Sequence, residues 1–339
     1  MISSHDPEPA ASGSARPLAT ILLIAYNQQA TVAEAIAGAL AQTYSPLEIV
    51  VSDDASSDGT FAAMQAALEG YAGPHRVVLN RNERNLGIGA HISRLVWMSH
   101  GELLFVAAGD DVSLPQRCER VVAAWLASGN RLDLIASALE DIDATGQAHT
   151  RIVPSDLATY SSAADWLARP PFVVGAAHAW TRRLFDRFGP LPEGVVAEDL
   201  LLVFRAIVSG GAVTLAEPLV RYRRGGISRR RRAMSTRDVV ERLLKNNRHS
   251  LVELPQLLAD ARVAGQLPAV EAGLKRQLAR EVFIRDLFAA ATLGKRARLV
   301  AQTGSVPLSQ RLRFGIYATC PALLAPAFAL KRLATRRAG

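Results

Sequence analysis

The sequence predicts an α/β protein, a mostly parallel sheet flanked by helices, followed by a purely helical C-terminal appendage. Three observations predict it. From Leu18 to about Ala138, short apolar runs alternate with stretches of helical period. The runs are continuous rather than alternating apolar and polar, as expected of strands covered on both faces. From about Ser235 the strand signals stop and helical periodicity continues alone.

Each element follows in order. ATILLIA (19–25) reads as the first buried strand and TVAEAIAGALAQT (31–43) as the helix after it. LEIVVS (47–52) is the second strand. SSDGTFAAMQAALEGY (56–71) is a helix with Ser56, Ser57 or Asp58 as its N-cap. RVVLN (76–80) is a strand and IGAHISRLVWMSH (88–100) a helix. ELLFVAA (102–108) is the fourth strand, and PQRCERVVAAWLASG (115–129) a helix with Pro115 at its first position. LDLIASAL (132–139) is the fifth strand. This alternation predicts parallel pairing with helices on both faces. Farther on, VVERLLKNN, LPQLLADARVAG and AVEAGLKRQLAREVFIRDLFAAATL are successive helical stretches.

A chain of 339 residues accommodates one large domain with an appendage, or two domains. Half of it is hydrophobic and a fifth charged, a globular composition. The two cysteines, Cys118 and Cys320, are far apart, which argues against a disulfide framework and fits a reducing cytosol. The seven histidines show no metal-ligand spacing. Residues 1–17 are small, polar and proline-bearing, without the layout of a signal peptide, and are expected to be a disordered leader. A formal charge of +8 favours anionic partners.

In such sheets, ligands gather beyond the carboxyl ends of the strands. Asp53-Asp54 and Asp110-Asp111 both fall at such ends. Carboxylates there need compensation, so each pair either caps the following helix or holds a ligand. The first loop, AYNQQAT, contains neither G-x-G-x-x-G nor G-x-x-x-x-G-K-[ST], which argues against a dinucleotide fold and a P-loop. The basic run VRYRRGGISRRRR (220–232) lacks interleaved aromatics, and no nucleic-acid partner is expected.

Four segments carry a resemblance: ILLIAYNQQATVAEAIAGALAQTYSPLEIVVSDDASSDGT, RNERNLGIGAHISR, HGELLFVAAGDDVSLPQR and AEDLLLVFRAIVSGG. In this order they resemble the family 2 inverting nucleotide-sugar glycosyltransferases, over roughly residues 19–228. The resemblance implies a GT-A type, Rossmann-like catalytic domain at 18–233, a helical appendage at 234–305 and a basic, apolar tail at 306–339. It implies transfer of a sugar from a nucleotide-diphosphate donor, UDP- or dTDP-linked by preference, to a hydroxyl on a glycan or lipid-linked acceptor. The implied setting is bacterial surface-polysaccharide or lipid-linked glycan assembly.

By position, the resemblance sets Ala25, Tyr26, Asn27, Asp53, Asp54, Asn85 and Gly87 against the donor nucleotide. A carboxylate at a strand end accepts from a pyrimidine N–H or a ribose hydroxyl. Asp53 takes the ligand role and Asp54 the structural one; helix capping by both, and packing for Tyr26, are the alternatives. Asp110 is the implied ligand for Mn²⁺ or Mg²⁺, with Asp111 as support or second ligand. Ala108 stands where the family's first D-x-D aspartate is expected. The alternative is an acidic pair before the helix at Pro115. Asp199 is the implied general base and Glu198 its neighbour, against the alternative of ordinary acidic residues opening a helix. His178 and Trp180 are sugar contacts or core. Arg223 and Arg224 are candidates for the donor phosphates, where the family often has a histidine that this chain lacks. Arg229–Arg232 are candidates for acidic lipid, or for a solvated loop.

The segment RLRFGIYATCPALLAPAFALKRLATRR (311–337) is apolar between basic flanks, too short to span a bilayer and interrupted by two prolines. Interfacial attachment at the inner face of the membrane and a helix packed on the domain are both compatible with it. Two other functions stay open: a non-catalytic nucleotide-sugar-binding protein, suggested by Ala108, and a nucleotidyltransferase, which the first loop disfavours.

Overall fold

The computed structural model describes residues 16–223 and 236–320. Arg224, the run 229–232, most of the leader and the tail from 321 lie outside the described residues. The first half alternates as the periodicity requires: β1 (Ala19–Ala25), α1 (Val32–Leu40), β2 (Leu47–Asp53), α2 (Thr60–Leu68), β3 (Arg76–Arg81), α3 (Ile88–Met98) and β4 (Leu103–Ala108). A two-residue β5 (Val112–Ser113) and α4 (Arg117–Ala127) follow. Every residue of β1 and β2 is buried. Ile21 and Leu23 of β1 pack into one core beneath α1, α2 and α4. Leu22 and Ile24 pack into the opposite core, with Ile92, Leu95 and Val96 of α3. Each fully buried side chain of this size contributes roughly 1.5–3 kcal/mol, which is why continuous apolar runs specify doubly covered strands.

The second half contains β6 (Leu134–Ile142), β7 (Ala148–Ile152), α5 (Ala163–Ala168), β8 (His178–Thr181), α6 (Arg182–Phe188), α7 (Glu198–Ile207) and β9 (Ala212–Arg223). The sheet order is β3-β2-β1-β4-β8-β6-β9-β5, with β7 paired to β6. The expected parallel pairing is found in β3-β2-β1-β4. Beyond it the sheet is mixed. The short β8 is antiparallel to both β4 and β6, while β9 is parallel to β6. Its four residues, HAWT, are all buried and carry too little pattern to announce a strand.

Two local expectations are corrected. Helix α2 begins at Thr60 behind Gly59, not at Ser56, Ser57 or Asp58. Those side chains are spent on the first loop instead: Asn27 N donates to Ser56 Oγ (2.8 Å) and Gln29 N to Asp58 (3.3 Å). Arg16 and Pro17, expected in the leader, are tied down. The Tyr44 hydroxyl donates to Pro17 O at 2.5 Å, and Arg16 pairs with Glu119.

The helical region comprises α8 (Thr236–Val263), α9 (Leu267–Ala289), α10 (Leu293–Gln302) and α11 (Leu308–Thr319). Helix α8 runs through Pro255, joining two stretches that the sequence suggests separately. Leu254, Leu257 and Ala261 lie in the same core as α3 and α7, and this burial outweighs one lost backbone hydrogen bond. Phe314 of α11 is buried against Phe283, Ile284 and Leu287 of α9.

Candidate active site

The strand order places β1 between β2 and β4, so the chain reverses direction across the sheet beside β1. That switch point opens a crevice at the carboxyl ends. The register aligns the last residues there: Ala25 with Asp53, Asp53 with Arg81, and Ile24 with Ala108. Because β8 runs antiparallel to β4, its start lies at the same end. The turn Gly175–Ala177 leads into it. Gly175 packs on α7: a Cβ added there would stand 2.6 Å from Glu198 Oε1. The Gly175 amide also hydrogen-bonds Asp199. Topology thus brings Asp110 and Asp199, far apart in sequence, to one edge of the sheet.

Asp110 is half-buried and its neighbour Asp111 buried. Burial raises the pKa of both, and the charge of Asp110 raises Asp111 further. Gln28 hydrogen-bonds the Asp110 side chain. Gly109 permits that approach, since a Cβ there would meet Gln28 Oε1 at 2.6 Å and Ala25 Cβ at 2.7 Å. Asp111 accepts from Arg223 N at 2.8 Å. Ala108 offers no ligand atom, and no cluster of three ligating side chains occurs among the described residues. The donor set still fits a hard cation. Mg²⁺ and Mn²⁺ accept oxygen ligands, and Mg²⁺ commonly takes one or two carboxylates with the rest from phosphates and water. Asp110 would hold it, with Asp111 behind.

Burial pushes Glu198 well above the ordinary carboxyl range, with help from the charges of Asp199 and Glu253. Asp199 is raised to about 6, chiefly by burial, while hydrogen bonds from Leu200 N and Gly175 N pull it down. Both carboxyls are therefore raised, Glu198 well above its ordinary range and Asp199 to about 6, the pattern of a poised base. Glu253, on α8, accepts from Val196 N (3.1 Å) and Ala197 N (2.9 Å), capping α7 where its own N-cap residue has no side-chain bond. Two turns along α8, Asp260 pairs with Arg205 of α7 at 2.7 Å, both fully buried.

Several assignments are corrected. Asp53 is fully buried, accepting from Ser56 N and Oγ and pairing with Arg81 at 3.1 Å. Its carboxylate thus organises the loop rather than facing the crevice. Asp54 is likewise spent on Asn82 Nδ2 (2.8 Å), Leu86 N (2.9 Å) and Gly87 N (3.0 Å). It shapes the Asn85–Gly87 turn, where Asn85 Oδ1 also accepts from Gly87 N. Arg223 is held by protein partners. Its guanidinium donates to Asp110 O, Asp143 O and Ala144 O and pairs with Glu34. His178 and Trp180 are fully buried core residues. Asn27 is exposed, with a positive φ of 52° and its Oδ1 accepting from Ser57 N at 2.9 Å. Tyr26, 48% exposed above the buried Ala25, is the aromatic surface open at the crevice. Gln28 and Glu253 were missed. Gln28 lies in the quoted first loop, but nothing local distinguishes it, and a glutamate in a later helix reads as a solvated face.

Residues 20–183 match the family model described as glycosyl transferase family 2. Over that segment the chain is similar to glycosyltransferase family 2. A putative glycosyltransferase, EpsE of Bacillus subtilis, is 30% identical over 139 residues, 41% of this chain and 49% of EpsE. The succinoglycan biosynthesis protein ExoO of Rhizobium meliloti is 27% identical over 231 residues, 63% of each chain. The matches thus span about half to two thirds of these relatives. Among solved structures, S. aureus TarS 1-349 in complex with UDP-GlcNAc superposes with a TM-score of 0.53 at 15% identity, covering 89% of this chain and 90% of that one. The mannosyltransferase PcManGT from Pyrobaculum calidifontis, in complex with GDP-Man and Mn²⁺, gives 0.51 at 17% identity, covering 92% and 88%. The likeness shows a shared fold, the GT-A type of sheet with flanking helices.

Proposed function

We propose that this protein is an inverting glycosyltransferase that uses a nucleotide-diphosphate sugar and a divalent cation. What supports the proposal is that β4 and β8 set Asp110 and the Gly175 turn, which packs on the start of α7, at the same end of the sheet. The donor nucleotide lies over Tyr26 and Ala25, beside Asn27 and the Asn85–Gly87 turn. A cation at Asp110 supplies charge neutralisation for the departing diphosphate. Asp199 accepts the proton of an acceptor hydroxyl while that oxygen forms a bond to the anomeric carbon. The bond from that carbon to the diphosphate oxygen breaks in the same displacement, and the nucleoside diphosphate leaves. Burial pushes Glu198 toward its neutral form, which limits the negative charge beside the base. The name of ExoO, a succinoglycan biosynthesis protein, supports polysaccharide assembly as the setting, and the unpaired cysteines are compatible with a cytoplasmic site of action.

Thermal stabilisation by UDP, dTDP and GDP, with and without Mn²⁺, tests the donor site, because binding raises Tm by mass action. One nucleotide should stabilise the wild type, more so with Mn²⁺, and the Mn²⁺ increment should vanish in Asp110→Ala. Asp199→Asn should retain that stabilisation and lose turnover. No response to any nucleotide would overturn the reading. Nucleotide binding without turnover in the wild type, across a panel of acceptors, would favour a binding protein.

A further inference from the structure

The chain's positive charge is strongly segregated. All 31 acidic residues lie at or before Asp286, whereas nine of the 39 lysines and arginines follow it. The chain up to Asp286 is therefore close to neutral, and the last part carries the whole excess. Five of the nine cations are on α10 and α11. Two of these five are used internally. Arg296 donates to Ala290 O and Ala318 O, and Arg311 to Val300 O and Ala301 O, so each satisfies the carbonyl end of the other's helix. The other three, Lys295, Arg298 and Arg313, are exposed and join no ion pair among the described residues. Beside them stand large exposed apolar side chains: Leu293 (69%), Leu308 (56%) and Leu312 (51%). An open cavity of about 470 Å³ between α9 and α10 is lined by Lys295, Arg298, Gln302 and Thr303. Its one acid, Asp286, is paired with Arg285 at 2.9 Å.

We propose that the α10–α11 hairpin is a docking face for a membrane surface bearing anionic phospholipid. Exposed leucines among unpaired cations on one helical hairpin match the boundary between acyl chains and anionic headgroups. The cavity between α9 and α10 offers two cations and two neutral donors to one headgroup phosphate. No helix among the described residues is long and apolar enough to cross a membrane, so the contact is interfacial. The chain leaves α11 at Cys320 into residues that hold four more cations and no acid. This places the contact on a folded surface, with Phe314 buried inside it, rather than on the C-terminal tail alone. The proposal is independent of the roles given to Asp110 and Asp199.

The test is flotation of the full chain with vesicles of phosphatidylcholine alone or mixed with phosphatidylglycerol. The wild type should float only with the anionic vesicles and be released by salt. A cation near such a surface is worth about fivefold in binding, so K295E/R298E/R313E should weaken it by roughly a hundredfold or more. L308S/L312S should weaken binding to the anionic vesicles at low salt, because the apolar part of the contact is lost. Both variants should keep the wild-type circular dichroism and melting curve, because every substituted side chain is exposed. K331E/R332E/R336E/R337E should retain most of the binding. Unchanged flotation of the first variant, complete loss in the tail variant alone, or equal binding to phosphatidylcholine would overturn the proposal. So would an L308S/L312S variant that binds vesicles normally, or displacement by inorganic phosphate, which would indicate a site for soluble anions.

Discussion

Glu253 offers the sharpest perturbation of the active site, because it acts from a helix that makes no other claim on the chemistry. Its Oε1 accepts both Val196 N and Ala197 N at the start of α7, and its charge adds to the burial that raises Asp199. Glu253→Ala removes the acceptor of two amides that lead directly into the Glu198-Asp199 pair. Loss of a helix N-cap costs about 1 kcal/mol, within a range of roughly 0.5–2, which for a protein of this size is a fall in Tm of a few degrees at most. The larger effect should be on kcat, with nucleotide affinity unchanged, because only the base is loosened. Glu253→Gln keeps an oxygen acceptor and removes the charge. It should restore most of the kcat lost in Glu253→Ala. The sign of its pH effect follows from the base. Asp199 works when ionised, so activity rises with pH through about 6. Removing a neighbouring negative charge favours the ionised form, and the acidic limb moves to lower pH. A neighbouring unit charge in a partly solvated site contributes on the order of 0.5–2 kcal/mol, or about 0.4–1.5 pH units. The assay is kcat/KM against pH for donor and acceptor in all three proteins. An acidic limb that moves upward in Glu253→Gln, or a Glu253→Ala enzyme with wild-type kcat, would refute the reasoning.

Other substitutions probe the supports of the same edge. Arg205→Met leaves Asp260 buried and unpaired, and should cost roughly 3–5 kcal/mol in urea unfolding, while the double variant with Asp260→Leu recovers much of it. Gly109→Ala forces Gln28 and Ala25 apart and should weaken Mn²⁺-dependent nucleotide stabilisation more than it lowers Tm. Arg223→Ala frees the main chain of Asp110 and the 143–144 turn, and should likewise reduce the Mn²⁺ increment while leaving metal-free nucleotide binding near wild type. Burial lowers His91 to about 4 and His178 to about 3. Both are protonated more readily in the unfolded chain, so their own contribution to unfolding free energy should fall as pH drops from about 6.5 towards 4, against the opposite contribution of the raised carboxyls Asp111, Glu198 and Asp199. NMR of the imidazole resonances isolates it, and either ring titrating near 6.5 in the folded protein would contradict its burial in the neutral form.

What could be read from the sequence, and what could not, divides by the range of the interactions. The first four strands and their helices were legible because each is specified locally. ATILLIA and LEIVVS are apolar on both faces, and only a doubly covered strand buries both. Their order also located the crevice, since ligand sites at carboxyl ends follow from parallel topology alone. The same local logic left Asp53-Asp54 ambiguous. Two carboxylates at a strand end signal compensation, but the sequence does not say whether the partner is a ligand or the protein. Here it is Ser56 and Arg81 for one, and Asn82 with two backbone amides for the other. Arg223 failed for the reverse reason. A guanidinium in a basic run suggests a phosphate, yet β9 delivers this one to Glu34, Asp110 and the 143–144 turn, contacts set by pairing between distant strands. Asp199 was singled out through its motif, but its environment was not legible, because much of it comes from Gly175 and from α8. A catalytic carboxylate needs burial to ionise near neutrality and a fixed backbone to aim it. In this chain the antiparallel β8 supplies the first by bringing Gly175 against α7, and Glu253 and Asp260 supply the second. Helix α8 is therefore part of what sets the environment of Asp199, the proposed base, which is why substitutions on α8 should register in the pH profile of a reaction that α8 never touches.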